Sequence, residues 1–405
     1  MSWEYKTLDQ LGEVSRGRSK HRQRNDPSLF GGDYPFIQTA DVKAANFYIT
    51  EYDTTYNEKG LAQSKLWHPG TLCITIAANI ADTGILAMDA CFPDSVMGFL
   101  PYEGVADVRF VKYCFDILQQ NCKKISQGAA QDNLSWEKLS TILFPAPPIE
   151  VQKRIADMLS AYDDLIENNQ KQIKLLEEAA QRLYKEWFVD LRFPGHETTP
   201  ITDGIPEGWQ YSPLSEVFDF VRGKSYTSKE LSDTVGVLMA NLKNIRAFGG
   251  YKRNAEKRFT GQFKENQTLA AGDVVMGVTD MTQERRLVGH VALVPDMGEP
   301  MTFSMDLIKI IPKLTDKLFV YSALYYGGLS KQISPLANGV NVLHLKPEAM
   351  MGIEMLIPHD AIVRAYHERI SPIIVRIEAL QKQCDIAAEA RDRLLPKLMN
   401  GEIEI

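Results

Sequence analysis

The chain has 405 residues, of which 44% are hydrophobic and 24% are charged, and its formal net charge is −7. This length exceeds one ordinary core and favours two to four domains. No apolar run reaches membrane-spanning length, and five cysteines without a Cys-x-x-Cys pair argue against a disulfide scaffold or a zinc ribbon. We therefore expect a cytoplasmic protein without a secretory signal, with reduced and mostly buried thiols.

Residues 1–147 are predicted to form a first globular segment that is rich in strands. Apolar alternation followed by a glycine predicts a strand within Trp3–Ser19 that leads into a basic loop. Further strands are predicted at Pro35–Val42, Pro69–Ile76, Gly84–Ala87 and one ending at Pro145, with a short helix at Tyr113–Gln120 and a loop at Gly128–Leu134. Of these, Pro69–Ile76 is a turn followed by a nearly continuous apolar run, which is typical of a strand buried on both faces.

Residues 148–190 are predicted to form one long central helix. Apolar or near-apolar residues recur there at alternating steps of four and three, and no proline or glycine interrupts them. Such a heptad seam needs one partner helix, although a core helix of a larger bundle can show the same pattern. The seam positions are Ile155, Leu159, Tyr162, Ile166, Asn169, Ile173, Leu176, Ala180, Leu183 and Trp187. Asn169 is expected either to oppose apolar residues and fix the register or to reach solvent with its amide.

Residues 191–208 are rich in proline and glycine, which predicts a linker without helix or sheet. Residues 209–357 then repeat the first segment, since Trp209–Ser225 resembles Trp3–Ser19 at an offset of 206 residues. The predicted elements of this second segment are strands at Gly236–Leu242, Ala271–Val278, Gly289–Ala292 and one ending at Ile357, a helix at Tyr321–Tyr326 and a loop at Asn338–Leu343.

Residues 358–405 carry a second seam that superimposes on the first at an offset of 211 residues. Its positions are Tyr366, Ile370, Ile373, Ile377, Leu380, Cys384, Ala387, Arg391, Leu394 and Leu398. Two matched seams in one chain most simply pair with each other. Because each seam follows a globular segment, the chain is predicted to be an internal duplication of one unit, a globular segment followed by a long helix. Pro372 lies inside this seam, so the second helix is predicted to start late or to bend.

The predicted fold class is α+β, with two α+β segments in internal repeat separated by two long helices paired as an antiparallel coiled coil.

Basic residues cluster early in each globular segment. Five cations lie within nine residues of the first segment, and the second segment has a cluster around residues 243–264 followed by Arg285-Arg286. One such run alone is typical of a solvated face. Its occurrence in both repeated segments favours a surface that faces a polyanion, despite the negative net charge.

Several stretches then carry a family resemblance in their order along the chain. Phe144–Ala156 opens the central helix, Trp187–Glu197 and Pro206–Trp209 lead into the second segment, and Arg391–Ile403 ends the chain. With the repeat, these stretches resemble the specificity subunits of type I restriction–modification systems over essentially the whole chain. The entry to the second helix, Ile357–Ile362, departs from the pattern because it lacks the Pro-Pro and Glu-x-Gln-Lys of the first entry.

The resemblance implies a DNA-reading adaptor. Each globular segment is then a target-recognition domain for one half of a bipartite, asymmetric site in double-stranded DNA. The paired helices are expected to act as a spacer and to dock two adenine-N6 DNA methyltransferase subunits, through which the restriction subunits join. S-adenosylmethionine, ATP and Mg are expected on those partner subunits, with no cofactor, metal or membrane bound by this chain.

Candidate DNA contacts follow from the chemistry of bases and phosphates. Asn and Gln suit adenine edges, Arg suits guanine, and both Arg and Lys suit phosphate. The candidates are Arg16, Arg18, Lys20, Arg22, Arg24, Gln131, Asn133, Arg222, Lys224, Lys252, Arg253, Lys257, Arg258, Arg285, Arg286 and Asn341.

The sequence contains no motif for catalysis. The Asn-Pro-Pro-aromatic motif of adenine methylation, a Gly-x-Gly-x-x-Gly cradle and a phosphate loop are all missing, and Asp41-x-Lys43 is only a fragment of a metal-nuclease pattern. The chain is therefore predicted to be non-catalytic. Two alternatives stay open: the specificity portion of a fused methyltransferase–nuclease, and a coiled-coil scaffold that binds no nucleic acid.

Overall fold

The structure, a computed structural model, describes residues 3–20, 26–76, 82–125 and 136–403. It divides into two compact units: unit 1 comprises Met1–Lys171 and Gln381–Ile405, and unit 2 comprises Gln172–Leu380. Both long helices cross this division along the chain, so each unit contains a stretch of each helix.

Unit 1 contains the first set of strands and helices. In chain order they are β1 (Glu4–Lys6), α1 (Leu8–Leu11), β2 (Gly12–Arg16), β3 (Phe30–Pro35), α2 (Thr39–Ala44), β4 (Tyr48–Ile49), β5 (Thr55–Tyr56), α3 (Glu58–Ala62), β6 (Leu66–Trp67), β7 (Leu72–Thr75), β8 (Thr83–Leu86), β9 (Ala90–Cys91), β10 (Val96–Pro101), α4 (Val108–Ile125), α5 (Trp136–Leu139) and β11 (Phe144–Ala146). The long helix α6 (Ile149–Phe188) follows, and its residues up to Lys171 belong to unit 1. The main sheet has the order β2-β10-β7-β8-β4, and its pairs are antiparallel apart from β4–β8. Strand β7 is buried at all four residues, as the continuous apolar run predicts.

Unit 2 contains the second set. In chain order its elements are β12 (Ile201–Thr202), β13 (Ile205–Pro206), β14 (Gln210–Pro213), α7 (Leu214–Val217), β15 (Phe218–Arg222), β16 (Leu231–Ser232), β17 (Val237–Ala240), β18 (Lys257–Phe259), β19 (Thr268–Leu269), β20 (Val274–Gly277), β21 (Thr279–Asp280), β22 (Val291–Leu293), β23 (Met301–Phe303), β24 (Leu307–Pro312), α8 (Lys317–Tyr325), α9 (Leu329–Ile333), β25 (Leu343–His344) and β26 (Glu354–Ile357). The long helix α10 (Asp360–Met399) follows, and its residues up to Leu380 belong to unit 2. Short 3₁₀ turns lie at Pro27–Leu29 in unit 1 and at Ser228–Glu230, Leu242–Asn244, Glu265–Gln267, Ser334–Leu336 and Pro347–Met350 in unit 2.

The two units repeat one topology. The antiparallel order β15-β24-β20-β22 in unit 2 matches β2-β10-β7-β8 in unit 1, and the pair β14–β26 matches β1–β11. The strand registers also correspond, since Arg16 stands opposite Met97 and Arg222 stands opposite Ile308. The predicted α+β fold and its internal repeat are therefore confirmed.

The long helices pair antiparallel within each unit. In unit 1, Ile155 and Leu159 of α6 share one apolar cluster with Leu398 of α10. In unit 2, Ile173 packs with Ile377 and Leu380. Residue numbers therefore fall along α10 as they rise along α6, and every seam position on both helices is buried or half-buried. Helix α10 already begins at Asp360 and continues through an exposed Pro372, so the predicted late start is wrong.

Asn169 has a polar partner in the seam. Its side chain is buried, and its Nδ2 donates a hydrogen bond to Gln383 Oε1 at 3.2 Å. The alternative that its amide reaches solvent is wrong, because the long Gln383 side chain brings a second amide to it within the seam. The pairing satisfies a buried amide that would otherwise destabilise the helix pair.

Unit 1 also buries an ion pair between the helices. Asp163 on α6, with a side chain only 3% exposed, accepts hydrogen bonds from Arg391 of α10 and from the hydroxyl of Tyr113 on α4. Burial and the Asp163 charge raise the pKa of Tyr113, so this hydroxyl remains a donor at neutral pH. One carboxylate thus joins three helices of the unit.

Two local predictions are wrong. The predicted strand Pro35–Val42 instead leads into helix α2, because the Asp41 carboxylate accepts a hydrogen bond from Gln38 N at 2.7 Å and caps the helix. The predicted linker contains a small antiparallel hairpin of β12 and β13, whose turn is formed by Asp203 and Gly204 with φ of 53° and 79°.

Other sequence expectations concern thiols and membranes. In the described part of the chain, Cys73, Cys91 and Cys114 are buried and Cys384 is half-buried, and all four are free thiols. None of the helices within the described ranges is both long and apolar enough to span a bilayer.

Replacing Asp163 with Ala is expected to destabilise unit 1 by about 3–5 kcal/mol, since Arg391 then stays partly buried without its counter-ion. Asp157 on the same helix also pairs with an arginine, Arg109, but its side chain is 66% exposed. The matched variant Asp157→Ala should cost less than about 1 kcal/mol. Urea unfolding curves of both variants measure the difference, and equal losses would contradict the assigned role of Asp163.

Candidate nucleic-acid interface

An Arg-Gly turn occurs at the end of the first sheet strand in each unit. A Cβ on Gly17 would lie 2.3 Å from the carbonyl oxygen of Pro93, and one on Gly223 would lie 2.0 Å from that of Ser304. Only glycine therefore permits this close approach of two backbones. The hydrogen bonds repeat as well, from Arg18 N to Phe92 O and from Lys224 N to Phe303 O.

The Arg-Gly turns direct basic side chains outward. Arg16, Arg18 and Lys20 are exposed in unit 1, whereas Arg22 and Arg24 lie outside the described residues. In unit 2, Lys224 is half-buried, and Arg222 donates to both carboxylate oxygens of Glu348 at 2.7 and 2.8 Å. Both partners of this pair are more than half exposed, so the ion pair is weak and can be exchanged for a phosphate contact.

The basic cluster at residues 252–258 divides into paired arginines and exposed lysines. Arg253 is largely buried and contacts Glu378 of α10, and Arg258 binds Glu299 through two nitrogens at 2.8 and 2.9 Å. Lys252 and Lys257 are exposed. Within the described ranges, only the two lysines of this cluster have side chains with no carboxylate within ion-pair distance.

A buried carboxylate organises the loop at residues 281–287 of unit 2. Asp280 has no exposed surface, and it accepts hydrogen bonds from Thr282 N at 2.8 Å, Leu287 N at 2.6 Å and Val288 N at 3.3 Å. Burial alone would raise the pKa of Asp280, but these hydrogen bonds hold it below its ordinary value. The charged carboxylate therefore fixes the loop at neutral pH.

Two further loops join this one. Gln283 Nε2 donates to the carbonyl of Val340 at 2.8 Å, and Phe248 N donates to that of Arg286 at 2.7 Å. We call residues 246–249, 281–287 and 338–342 the loop surface. Three of the candidate residues, Arg285, Arg286 and Asn341, thus lie on one surface, with Arg286 and Asn341 exposed and Arg285 half-buried.

The loop surface also exposes apolar side chains that sequence reasoning missed. Met281 is 76% exposed, Val340 is 88% exposed, and Phe248 is 59% exposed. Gly339 makes the turn beside Val340 possible, since its φ is 152° and a Cβ there would lie 1.9 Å from the carbonyl oxygen of Val342. In the sequence, only the Asn-Gly pair at 338–339 indicates this turn. The sequence contains no signal that distinguishes the exposed Met281, Val340 and Phe248 from apolar residues of the core.

Two candidates of unit 1, Gln131 and Asn133, lie outside the described residues. The Asp41-x-Lys43 fragment has a structural explanation, because Asp41 caps α2. Across residues 3–20, 26–76, 82–125 and 136–403, no three His, Cys, Asp or Glu side chains come together as a metal site would require.

Replacing Asp280 with Asn should cost about 1–3 kcal/mol, because an amide cannot accept all of the loop N–H groups. The folded pKa of Asp280 is lowered, so its contribution is complete above the ordinary carboxyl pKa of about 4 and is lost as the pH falls through the folded value. The difference in Tm between wild type and Asp280→Asn should therefore be full at pH 7 and shrink toward pH 3. Asp219→Asn, at an exposed surface pair with Lys313, is the control and should leave Tm unchanged.

Comparison with known proteins gives a consistent result over the whole chain. The family model of the type I restriction modification DNA specificity domain matches residues 1–178 and again residues 206–384. The MjaIX specificity subunit of a type I restriction enzyme from Methanocaldococcus jannaschii is 26% identical, and the alignment covers 100% of this chain and 94% of that protein. The HindI specificity subunit from Haemophilus influenzae is 21% identical, and the alignment covers 97% of this chain and 98% of that protein.

The fold has a solved counterpart as well. The crystal structure of a type I restriction–modification S subunit from M. genitalium matches with a TM-score of 0.62 at 14% identity, covering 98% of this chain and 96% of that one. That likeness concerns the fold, whereas the family model covers most of the sequence in two successive copies. The chain therefore belongs to the family of type I restriction–modification DNA specificity subunits.

Proposed function

We propose that this chain is the non-catalytic subunit that reads a bipartite, asymmetric site in double-stranded DNA for a type I restriction–modification complex. The observation that carries this proposal is the Arg-Gly turn, which occurs once in each unit with equivalent backbone hydrogen bonds and with two basic residues, of which Arg16, Arg18 and Arg222 are exposed and Lys224 is half-buried. One cation-bearing turn per unit suits two contacts with the phosphate backbone. Different loops beside the turns then suit two different half-sites.

The loop surface of unit 2 supports base reading in one half-site. Arg286 and Asn341 offer donors for guanine and adenine edges, and both side chains are exposed. Met281 and Val340 offer apolar atoms of the kind that contact thymine methyl groups. Lys252 and Lys257 are exposed cations that suit phosphates rather than bases.

The partners in this proposal are two adenine-N6 DNA methyltransferase subunits, through which the restriction subunits join. The proposal rests on the family and on the two relatives, each of which is described as the specificity subunit of a type I restriction enzyme. S-adenosylmethionine, ATP and Mg belong to those partner subunits, and the assembled complex works in the cytoplasm, where the DNA is.

Salt dependence tests the DNA-binding part of the proposal. Gel shifts of the purified chain on pooled duplex DNA should show steep weakening with salt, because phosphate contacts release counter-ions. Arg16→Ala and Arg18→Ala should each lower the slope by about one for each lost contact. Lys185→Ala, which removes a cation from the surface of α6, is the control and should keep the full slope.

The same experiment separates the alternatives. A flat salt response of the wild-type chain would support a scaffold that binds no nucleic acid. Methylation of DNA by the chain alone, after addition of S-adenosylmethionine, would support a fused enzyme instead.

Methylome sequencing tests the bipartite site. Cells with the complete system should carry methylated adenines in two half-sites at a fixed spacing. Arg286→Ala should relax the base preference in one half-site by about 1–3 kcal/mol at one position and leave the other half-site unchanged. Relaxation in both half-sites, or in neither, would contradict the assignment of the loop surface to one half.

A further inference from the structure

Phe248 lies in a tight turn of the loop surface, and more than half of its side chain is exposed. Its backbone φ is 66°, a left-handed conformation that is rare for a bulky aromatic residue and common for glycine. The next two residues, Gly249 and Gly250, are glycines with φ of 113° and 89°. The chain therefore carries an aromatic ring at a position where the backbone conformation is better suited to a third glycine.

Hydrogen bonds and packing hold this turn in place. Arg246 N donates to the carbonyl of Gly250 at 2.9 Å, and Gly249 N donates to that of Arg246 at 3.0 Å. A Cβ on Gly249 would lie 2.7 Å from the ring of Tyr325, so the turn packs directly on helix α8. The surroundings therefore impose the strained conformation, and strain that is held in this way is concentrated at functional positions.

The ring of Phe248 is oriented by a buried neighbour. The ring of His290 stands perpendicular to it, with the centroids 5.6 Å apart and the planes at 89°. Much of the remaining ring surface of Phe248 faces solvent. Because the ring is already oriented, it loses little conformational freedom when it binds a ligand.

The loop surface that carries this ring is positively charged. It contains Arg246, Arg285 and Arg286 but only one acidic residue, Glu284. Arg286 is joined to the turn directly, because Phe248 N donates to its carbonyl at 2.7 Å. An apolar ring among cations suits a polyanion with apolar surfaces between its charges, and stacked base pairs between two phosphate backbones have that character.

We propose that Phe248 is a wedge, which inserts between two adjacent base pairs of the half-site read by unit 2 and unstacks them. This inference rests on the proposed function and adds a second way of reading sequence to it. Phenylalanine is one of the apolar side chains that can enter a base step and kink the duplex. Because pyrimidine–purine steps unstack most easily, the wedge selects such a step without a polar contact to its bases.

A scan of nicked duplexes tests the wedge. Each duplex carries the complete site found by methylome sequencing, with one 5′-phosphorylated nick at a different step of this half-site, so every base and phosphate remains. A nick at the wedged step removes part of the cost of unstacking. Wild type should bind that duplex about tenfold more tightly than the intact one, and Phe248→Ala should bind all the nicked duplexes alike.

Two further variants make the test specific. Phe248→Leu keeps an apolar wedge and should still prefer the same nicked step, although less strongly. Tyr211→Ala removes another exposed aromatic side chain of unit 2, outside the loop surface, and should match wild type. Thermal melting should be unchanged in all three variants, because both positions are exposed.

The bend of the duplex gives an independent measurement. Energy transfer between dyes at the two ends of the intact duplex should increase when wild type, Phe248→Leu or Tyr211→Ala binds, because a wedge kinks the DNA. It should increase less with Phe248→Ala. If Phe248→Ala does not bind at all, Phe248→Leu decides: a preferred nicked step supports the wedge, and a flat profile overturns it.

The outcomes separate this inference from the proposed function. A wild-type chain that does not bind the intact duplex overturns the proposed function itself. Wild-type binding with a flat nick profile, or a preferred step that persists in Phe248→Ala, overturns only the wedge. Self-association of the wild-type chain that disappears in Phe248→Ala would assign the ring to a second copy of this chain and overturn the wedge as well.

Discussion

The buried carboxylate of Asp163 constrains how the two long helices pair. It needs a cation, and Arg391 on the antiparallel helix supplies one, with Tyr113 as a second donor. The repeat-equivalent positions are occupied by Ile374 and Ala180, which are apolar. In a symmetric pairing of two α6 helices, Ala180 would stand opposite Asp163, and the carboxylate would be buried without its counter-ion. The two seams are otherwise similar, but only α10 offers a counter-ion to Asp163. Helix α6 is therefore expected to pair with α10 in preference to a second copy of α6.

The framework of each unit depends on backbone contact at the Arg-Gly turn. A glycine lets the first sheet strand approach a neighbouring segment so closely that no side chain fits. This contact anchors the repeated four-stranded sheet and sends the flanking basic side chains outward. In unit 2, the loop at residues 281–287 is held by its own hydrogen bonds to Asp280, so its tip can vary without disturbing the sheet. A constant framework with separately braced loops suits a protein that must read different bases.

Charge alone was an incomplete guide to which basic residues are accessible to a ligand. Arg222, Arg253 and Arg258 each form ion pairs with carboxylates that are distant in the sequence. Arg253 in particular ties its loop to α10 and has little surface left for a ligand. Conversely, Met281 and Val340 look like core residues in the sequence, yet they are exposed at loop tips. Pairing and exposure depend on which distant segments meet, and a sequence pattern does not contain that information.

The sequence by itself determined the duplication, the two seams, the buried central strands and the family resemblance, because these depend on periodicity and local order. Spacing at steps of three and four is enough to define a helix face, and a matching face elsewhere in the chain supplies its partner. The tertiary structure decided the partners of Asn169, Asp163 and Arg253, and it assembled the loop surface from three separate segments. It also replaced a predicted strand by the capped helix α2. Those features depend on hydrogen bonds between particular atoms, and only the folded backbone brings such atoms within reach.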